Sequence, residues 1–357
     1  MSKLAFFEIE NWEKEYIKNK ESGIRNQELS FYDKKLDKDN LPTEKDAEII
    51  SVFVGSKVDK EVIDSFPNLK LITTRSTGFD HIDLKTTKEK NIKTAYVPGY
   101  GDNTVAEMAF GLILTLSRKI YEAYDRIRET GSFSLEGLRG FDLKDKTIGI
   151  VGTGRIGKYM IKIAKGFSMK IIAFDAYPNE KLSKEMNFQY VELNELLGKS
   201  DIISLHVPYI PSTRASNEPQ PNSSGQTTHH LINSENINKI KKGAILINTS
   251  RGAIVETAAL VKGLEEEILG GAGLDVLEEE GTTQDEKSFL LYGHPKEHDL
   301  KTILANHVLI DMPNVIITPH NAFNTQEALQ RILNTDIENI KSFLEKGETT
   351  HPIGNST

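Results

Sequence analysis

A β-branched, apolar run, Thr147, Ile148, Ile150 and Val151, leads directly into Gly152-x-Gly154-x-x-Gly157 and then into a helix-compatible segment, Lys158–Gly166. Strand, glycine turn and helix in that order constrain the fold more than any other stretch, because a dinucleotide-binding βαβ unit requires them. Gly152 permits the tight turn, Gly154 lets the backbone come close to a pyrophosphate, and Gly157 lets the helix pack on the strand. The helix N-terminus then turns its free N–H groups toward phosphate. A second strand, Lys170–Phe174, ends in Asp175, 18 residues beyond Gly157, close to the spacing of a carboxylate that accepts ribose hydroxyls. Such a carboxylate repels a 2′-phosphate, so NAD rather than NADP is the expected cofactor.

At 357 residues the chain is long enough for two domains, each with its own core. Its 44 basic and 52 acidic residues give a net charge of −8 with no basic stripe, which argues against a nucleic-acid partner. The absence of cysteine excludes disulfides, thiol nucleophiles and cysteine-held metal. His294 and His298 have i, i+4 spacing, but Pro295 interrupts any helix there and no third ligand is evident, so no metal is expected. The N-terminal MSKLAFFEIENWEKEY is too charged for a signal peptide, and no apolar run approaches the ~20 residues of a membrane span. The expectation is a soluble, cytoplasmic protein with no membrane partner.

Before the fingerprint, Leu4–Phe7, Glu28–Phe31, Ile49–Val54, Leu69–Thr74 and Lys93–Val97 read as strands, the last three apolar enough for burial on both faces of a parallel sheet. Asn103 to about Arg128 has no strong breaker and reads as one helix, apolar nearly all round in its first half, crossing from the first domain to the second. Strands are expected again at Ile202–Val207, Ala244–Asn248, Gly273–Val276 and Val315–Thr318, with Ala253–Ile268 amphipathic between two of them. A last helix, Gln326–Lys346, is expected to return to the first domain. Pro211–Thr228, rich in Ser, Asn, Pro and Gln, reads as a surface insertion. Residues 281–313 form a long excursion between strands. The expected fold class is α/β, two Rossmann-like or flavodoxin-like domains with parallel sheets.

Ligands of open parallel sheets bind beyond the carboxyl ends of the strands. Thr249-Ser250-Arg251-Gly252, Glu278-Glu279-Glu280 and Pro319-His320-Asn321 all stand at such ends. An arginine offers a bidentate fork to a carboxylate, and a histidine titrates near neutrality. A carboxylate behind that histidine would orient it and raise its pKa. Together these residue types suit proton and hydride transfer.

At this point the chain resembles the NAD-dependent D-2-hydroxyacid dehydrogenases, and in particular their D-lactate dehydrogenase-like branch. The matching segments are STGFDHID (Ser76–Asp83), VPGYGDNTVAE (Val97–Glu107), VGTGRIG (Val151–Gly157), SLHVP (Ser204–Pro208), INTSRGAIV (Ile247–Val255), GLDVLEEE (Gly273–Glu280) and TPHNAF (Thr318–Phe323), in order along nearly the whole length. The resemblance implies a substrate-binding domain of residues 1–101 and 324–357, a NAD-binding Rossmann domain of residues 102–323, and an active site in the cleft between them. It implies a catalytic trio of Arg251, Glu280 and His320, with Glu278 the competitor for the glutamate role. It implies substrate contacts from Thr77, Gly78 and Tyr100. Cofactor contacts are implied for Gly152, Thr153, Gly154, Arg155, Ile156, Gly157, Asp175, Val207, Pro208, Thr249 and Asp275. A homodimer is the expected assembly.

Pyruvate and D-lactate are the expected substrate pair. Gly281 stands where many relatives have proline, and Asn324 where the lactate branch often has tyrosine, which leaves hydroxypyruvate, glyoxylate and branched 2-oxo acids open. The alternative of another class is a corepressor-like NAD sensor or binding protein of the same fold, which would not need the full trio.

Overall fold

Alternating short apolar runs and amphipathic helices give two sheets whose ladders are parallel throughout, in a computed structural model that describes residues 1–19, 24, 26–211, 227–280 and 300–354. The chain divides into unit 1, Met1–Tyr100 with Asn324–Thr357, and unit 2, Gly101–Phe323.

Unit 1 carries β1 (Lys3–Phe6), β2 (Glu28–Phe31), β3 (Ile49–Val52), β4 (Leu71–Thr74) and β5 (Lys93–Ala95) in the order β2-β1-β3-β4-β5. Every residue of β3 and β4 is buried, as their composition leads one to expect, but β5 lies at the edge and exposes Lys93. The C-terminal helix Gln326–Lys346 belongs to this unit. Thr325 caps its start by accepting the Ala328 N–H, and its Leu333, Ile337 and Ile340 pack on Leu4, Phe6, Ile49 and Leu71.

Unit 2 carries β6 (Thr147–Val151), β7 (Lys170–Phe174), β8 (Gln189–Tyr190), β9 (Ile202–Leu205), β10 (Ala244–Asn248), β11 (Leu269–Leu274) and β12 (Val315–Ile317) in the order β12-β11-β10-β9-β6-β7-β8. One face is covered by Leu196, Leu197, Leu260, Leu264 and Leu309, and the other by Ala106, Ile113, Met160, Ile161 and Ala164. β11 begins at Leu269, well before the expected Gly273, because Gly270 and Gly271 disguise a central strand as a turn. β8 is two residues long and leaves no periodic signal.

The expected single helix from Asn103 to Arg128 is two helices, Asp102–Ser117 and Ile120–Thr130. Lys119 between them adopts φ 50°, and the Ser117 carbonyl accepts the Phe141 N–H at 2.9 Å instead of extending the helical ladder. The first of these helices starts in unit 2, so the chain crosses between units at Tyr100–Gly101, just before it. Most of the insertion Pro211–Thr228 and of the excursion's first half, with His294 and His298, lies outside the described residues. Among the described residues no helix is long and apolar enough to cross a membrane.

Candidate active site

β6 has β7 on one side and β9 on the other, so the chain reverses its direction of winding beside β6. The fingerprint turn lies at this switch point, where open α/β sheets bind ligands. Gly152 has φ +94°, and a Cβ there would stand 2.5 Å from the His206 carbonyl oxygen, so neither the turn nor the contact with the loop after β9 tolerates a side chain. A Cβ on Gly157 would stand 2.1 Å from the Gly152 carbonyl oxygen, which fixes how closely the helix Arg155–Gly166 approaches the strand. A Cβ on Gly154, by contrast, would meet nothing within 4 Å. That residue is the N-cap of the helix, makes no side-chain cap bond, and is followed by a first turn without an acidic residue. The helix start is therefore left open for an anion.

Asp175, at the end of β7, is half-buried and already held. Its Oδ2 accepts the Thr153 N–H at 2.7 Å and the Thr153 hydroxyl at 2.8 Å, and its Oδ1 accepts the Tyr177 N–H at 2.9 Å. Thr153 N–H thus points to Asp175. Arg155 is exposed and pairs through Nε with Asp102 at 3.0 Å, and Ile156 is half-buried one residue further along the helix. Beyond β9, Val207 packs beside Gly152 and Pro208 is exposed.

The other three strand ends gather the acid–base residues. After β10, Ser250 Oγ donates to the Leu205 carbonyl at 2.7 Å, and Asn248 bonds both the Ser250 N–H and the Arg251 carbonyl. A Cβ on the following Gly252 would fall 2.0 Å from the Leu277 carbonyl carbon. The Arg251 loop is therefore pressed against the segment after β11 that carries both candidate glutamates. Arg251 itself is half-buried, with Nη1 donating to the Ser250 carbonyl at 2.8 Å.

Glu278 and Glu280 take different partners. Glu280 Oε1 lies 2.7 Å from His320 Nδ1. Glu278 Oε1 lies 2.7 Å from His230 Nε2, and its Oε2 accepts the N–H and hydroxyl of Thr257 at 2.9 and 2.6 Å. Two glutamates two residues apart in sequence thus serve separate histidines, and His230 gave no signal in the sequence.

His320 follows β12 in the left-handed conformation, φ 51°. Its N–H donates to the Asp275 and Thr318 carbonyls, each at 2.9 Å. The Asp275 side chain is 1% exposed and accepts the Thr318 hydroxyl and the N–H groups of Asn321 and Ala322. Sequence reading gave Asp275 a cofactor contact, and in the structure its carboxylate braces the loop that presents His320. Burial pushes its pKa above the usual carboxylate value, against the pull of those hydrogen bonds.

His206 contrasts with His320. It is 9% exposed, bonds Ser204 Oγ through Nε2 at 2.8 Å, and is pushed by burial down to about 3, so it stays neutral near pH 7. Its Nδ1, Thr249 Oγ1 and Asn321 Oδ1 are buried without a hydrogen-bond partner. All three stand at the carboxyl ends of β9, β10 and β12. Native structures rarely leave such atoms unsatisfied, and this donor and acceptor set fits a bound dinucleotide.

Thr77, Gly78 and Tyr100 lie in unit 1. Thr77 is exposed and donates its hydroxyl to the Val97 carbonyl at 3.0 Å, and the Gly78 carbonyl accepts Ser76 Oγ at 2.6 Å. The Tyr100 carbonyl accepts Arg331 Nε at 2.7 Å. No group of three or more His, Asp or Glu suited to a metal occurs among the described residues.

Residues 4–354 match the D-isomer specific 2-hydroxyacid dehydrogenase catalytic domain. The D-lactate dehydrogenase of Escherichia coli is 36% identical over 351 residues, covering 97% of this chain and 98% of that protein. The glyoxylate reductase of Thermofilum pendens is 38% identical over 309 residues, covering 85% and 80%. The crystal structure of D-lactate dehydrogenase from Aquifex aeolicus, complexed with NAD and lactic acid, superposes with a TM-score of 0.79 at 34% identity, covering 97% of this chain and 98% of that one.

Proposed function

The chain belongs to the D-isomer specific 2-hydroxyacid dehydrogenases, and from that premise we propose that it reduces pyruvate to D-lactate with NADH. The observation that carries this reading is the 2.7 Å contact between Glu280 and His320 Nδ1, at the strand ends that also present Arg251. With Nδ1 engaged by a carboxylate, that nitrogen keeps its proton and the ring offers Nε2 for transfer.

NADH, when bound, supplies the hydride. The open helix start at Gly154 and the carboxylate of Asp175 are the groups that would hold it, with Thr249 and Asn321 supplying unsatisfied polar atoms. His320 gives its proton to the C2 carbonyl oxygen of the 2-oxo acid. Glu280 stabilises the charged imidazole and keeps its orientation, and Asp275 fixes the loop on which it stands. Arg251 polarises the same carbonyl and pairs with the substrate carboxylate. In this reading unit 1 is the substrate-binding domain and unit 2 the NAD-binding domain. The roles of Thr77 and Gly78 N–H groups toward the carboxylate, and of Tyr100, rest on their motif match.

The working assembly is a cytoplasmic homodimer. The helix Ile120–Thr130 buries no residue and exposes Ile120, Tyr121, Tyr124 and Ile127, followed by Phe133 and Leu135, each 83% exposed. A run of exposed large apolar residues of this kind favours a protein partner, and a second copy is the simplest one.

The test is NADH oxidation with pyruvate, hydroxypyruvate, glyoxylate, phenylpyruvate and 2-oxoisocaproate. Pyruvate is expected to give the highest kcat/KM. Absence of turnover with every acid would defeat the enzymatic reading, and a clear preference for glyoxylate would move the substrate and leave the chemistry.

A further inference from the structure

The carboxylate that selects the cofactor is itself positioned by two side chains. Thr153 is 5% exposed and has one hydroxyl proton. Asp175 Oδ2, 2.8 Å away, is an acceptor only, so that proton goes to Asp175. Tyr190 Oη lies 2.7 Å from the same Thr153 oxygen and must then donate to it. The result is a directed chain, Tyr190 to Thr153 to Asp175, reinforced by the Thr153 N–H on the same carboxylate oxygen at 2.7 Å. Tyr190 is held in turn. It lies on β8, where it pairs with Ala173 of β7, two residues before Asp175, and its ring meets Phe188 edge-on at 5.0 Å.

We propose that Thr153 and Tyr190 are positioning residues that fix the plane of the Asp175 carboxylate as a receptor for a ribose hydroxyl, so that discrimination against a 2′-phosphorylated dinucleotide depends on them. This rests on the reading of unit 2 as an NAD site. The physical argument is one of preorganisation. Oδ2 takes two donors from Thr153, and Oδ1 takes one from Tyr177. The carboxylate cannot rotate without breaking several bonds, and the lone pair left on Oδ1 keeps a constant direction. A rotating carboxylate would still repel a 2′-phosphate at long range but would lose the aligned hydrogen bond from the unphosphorylated ribose. The order of the chain also makes Thr153 the larger contributor, since it touches Asp175 directly.

The test measures binding of NADH and of NADPH by calorimetry, without turnover, for the wild type, Thr153→Val, Thr153→Ser, Tyr190→Phe, Asp175→Asn and the Tyr190→Phe/Asp175→Asn double variant. The wild type is expected to bind NADH at least about 100-fold more tightly, since unpaired like charge costs several kcal/mol. Thr153→Val should weaken NADH and shrink the NADPH/NADH Kd ratio by about tenfold, and Tyr190→Phe by about threefold, in line with the loss of hydrogen bonds to a charged and to a neutral acceptor. Thr153→Ser, which restores the hydroxyl, should return the ratio to within about twofold of wild type. In the Asp175→Asn background Tyr190→Phe should change nothing further, an outcome that a merely structural role for Tyr190 does not produce. A discriminating wild type whose ratio is unmoved by both Tyr190→Phe and Thr153→Val overturns the positioning role alone. A wild type that binds both dinucleotides alike overturns the NAD reading, and the positioning role with it.

Discussion

Both units place a parallel sheet's switch point beside their first strand, yet the two are finished in opposite ways. In unit 1 the point lies between β1 and β3, and it is filled by the chain's own carboxylate. Glu8, just beyond β1, accepts the Phe53 N–H at 3.1 Å, the Gly55 N–H at 2.9 Å and the Ser56 hydroxyl. The helix that follows β1, Asn11–Asn19, has Glu13 in its first turn, and that side chain accepts the Glu10 N–H at 2.8 Å. In unit 2 the point lies between β6 and β9. There Gly154 faces open space and the helix carries no acidic cap. The lesson is that parallel topology supplies converging donors in both units, and the side chains after the first strand decide whether an outside anion can reach them.

Three substitutions probe that contrast. The largest effect is expected from Gly157→Ala, whose new methyl would lie 2.1 Å from the Gly152 carbonyl oxygen. The helix must shift off its strand, and NADH binding should fall by on the order of 100-fold, together with a stability loss of about 1–3 kcal/mol seen in urea unfolding. An unchanged NADH Kd would mean that close packing of helix on strand does not build the site. Next comes Gly154→Asp, which gives unit 2 the acidic finish of unit 1. There is room for the side chain, and an Asp N-cap in place of Gly stabilises a helix by a few tenths of a kcal/mol. Thermal stability should therefore hold or rise while NADH binding weakens by about tenfold or more, because the carboxylate claims the helix-start N–H donors that the proposed function assigns to pyrophosphate. Binding as tight as wild type would dissolve the contrast. The smallest effect on cofactor is expected from Glu8→Ala. It strands the donors of Phe53, Gly55 and Ser56 and should cost about 2 kcal/mol in urea unfolding, with the NADH Kd within about twofold of wild type. Stability equal to wild type would show that Glu8 does not hold those loops together.

Much of this organisation is legible in the sequence because it is local. The fingerprint, its following carboxylate and the polar strand ends are each written within a few residues, and hydrophobic periodicity carries most strands and the C-terminal helix. What is not legible depends on contacts between distant segments. Nothing near Ser117 announces that Phe141 will take its carbonyl and end the helix there. Nothing within Glu278-Glu279-Glu280 says which glutamate meets His320. That choice follows from the packing of Gly252 under Leu277 and from Thr257 and His230 claiming Glu278. Asp275 reads as a strand-end ligand group, and its bracing of the His320 loop is invisible in the sequence because Thr318, Asn321 and Ala322 come from a distant segment. Tyr190 reads as nothing, since a two-residue edge strand has no period.

The central claim is that unit 2 binds the hydride carrier while His320, held by Glu280, moves the proton. The most direct test is His320→Ala measured twice, by NADH binding and by pyruvate-dependent NADH oxidation. General acid catalysis is worth about 10²–10⁴-fold, so kcat should fall by at least about 100-fold with the NADH Kd within about twofold of wild type. Turnover at the wild-type rate would remove His320 from the mechanism and contradict the account.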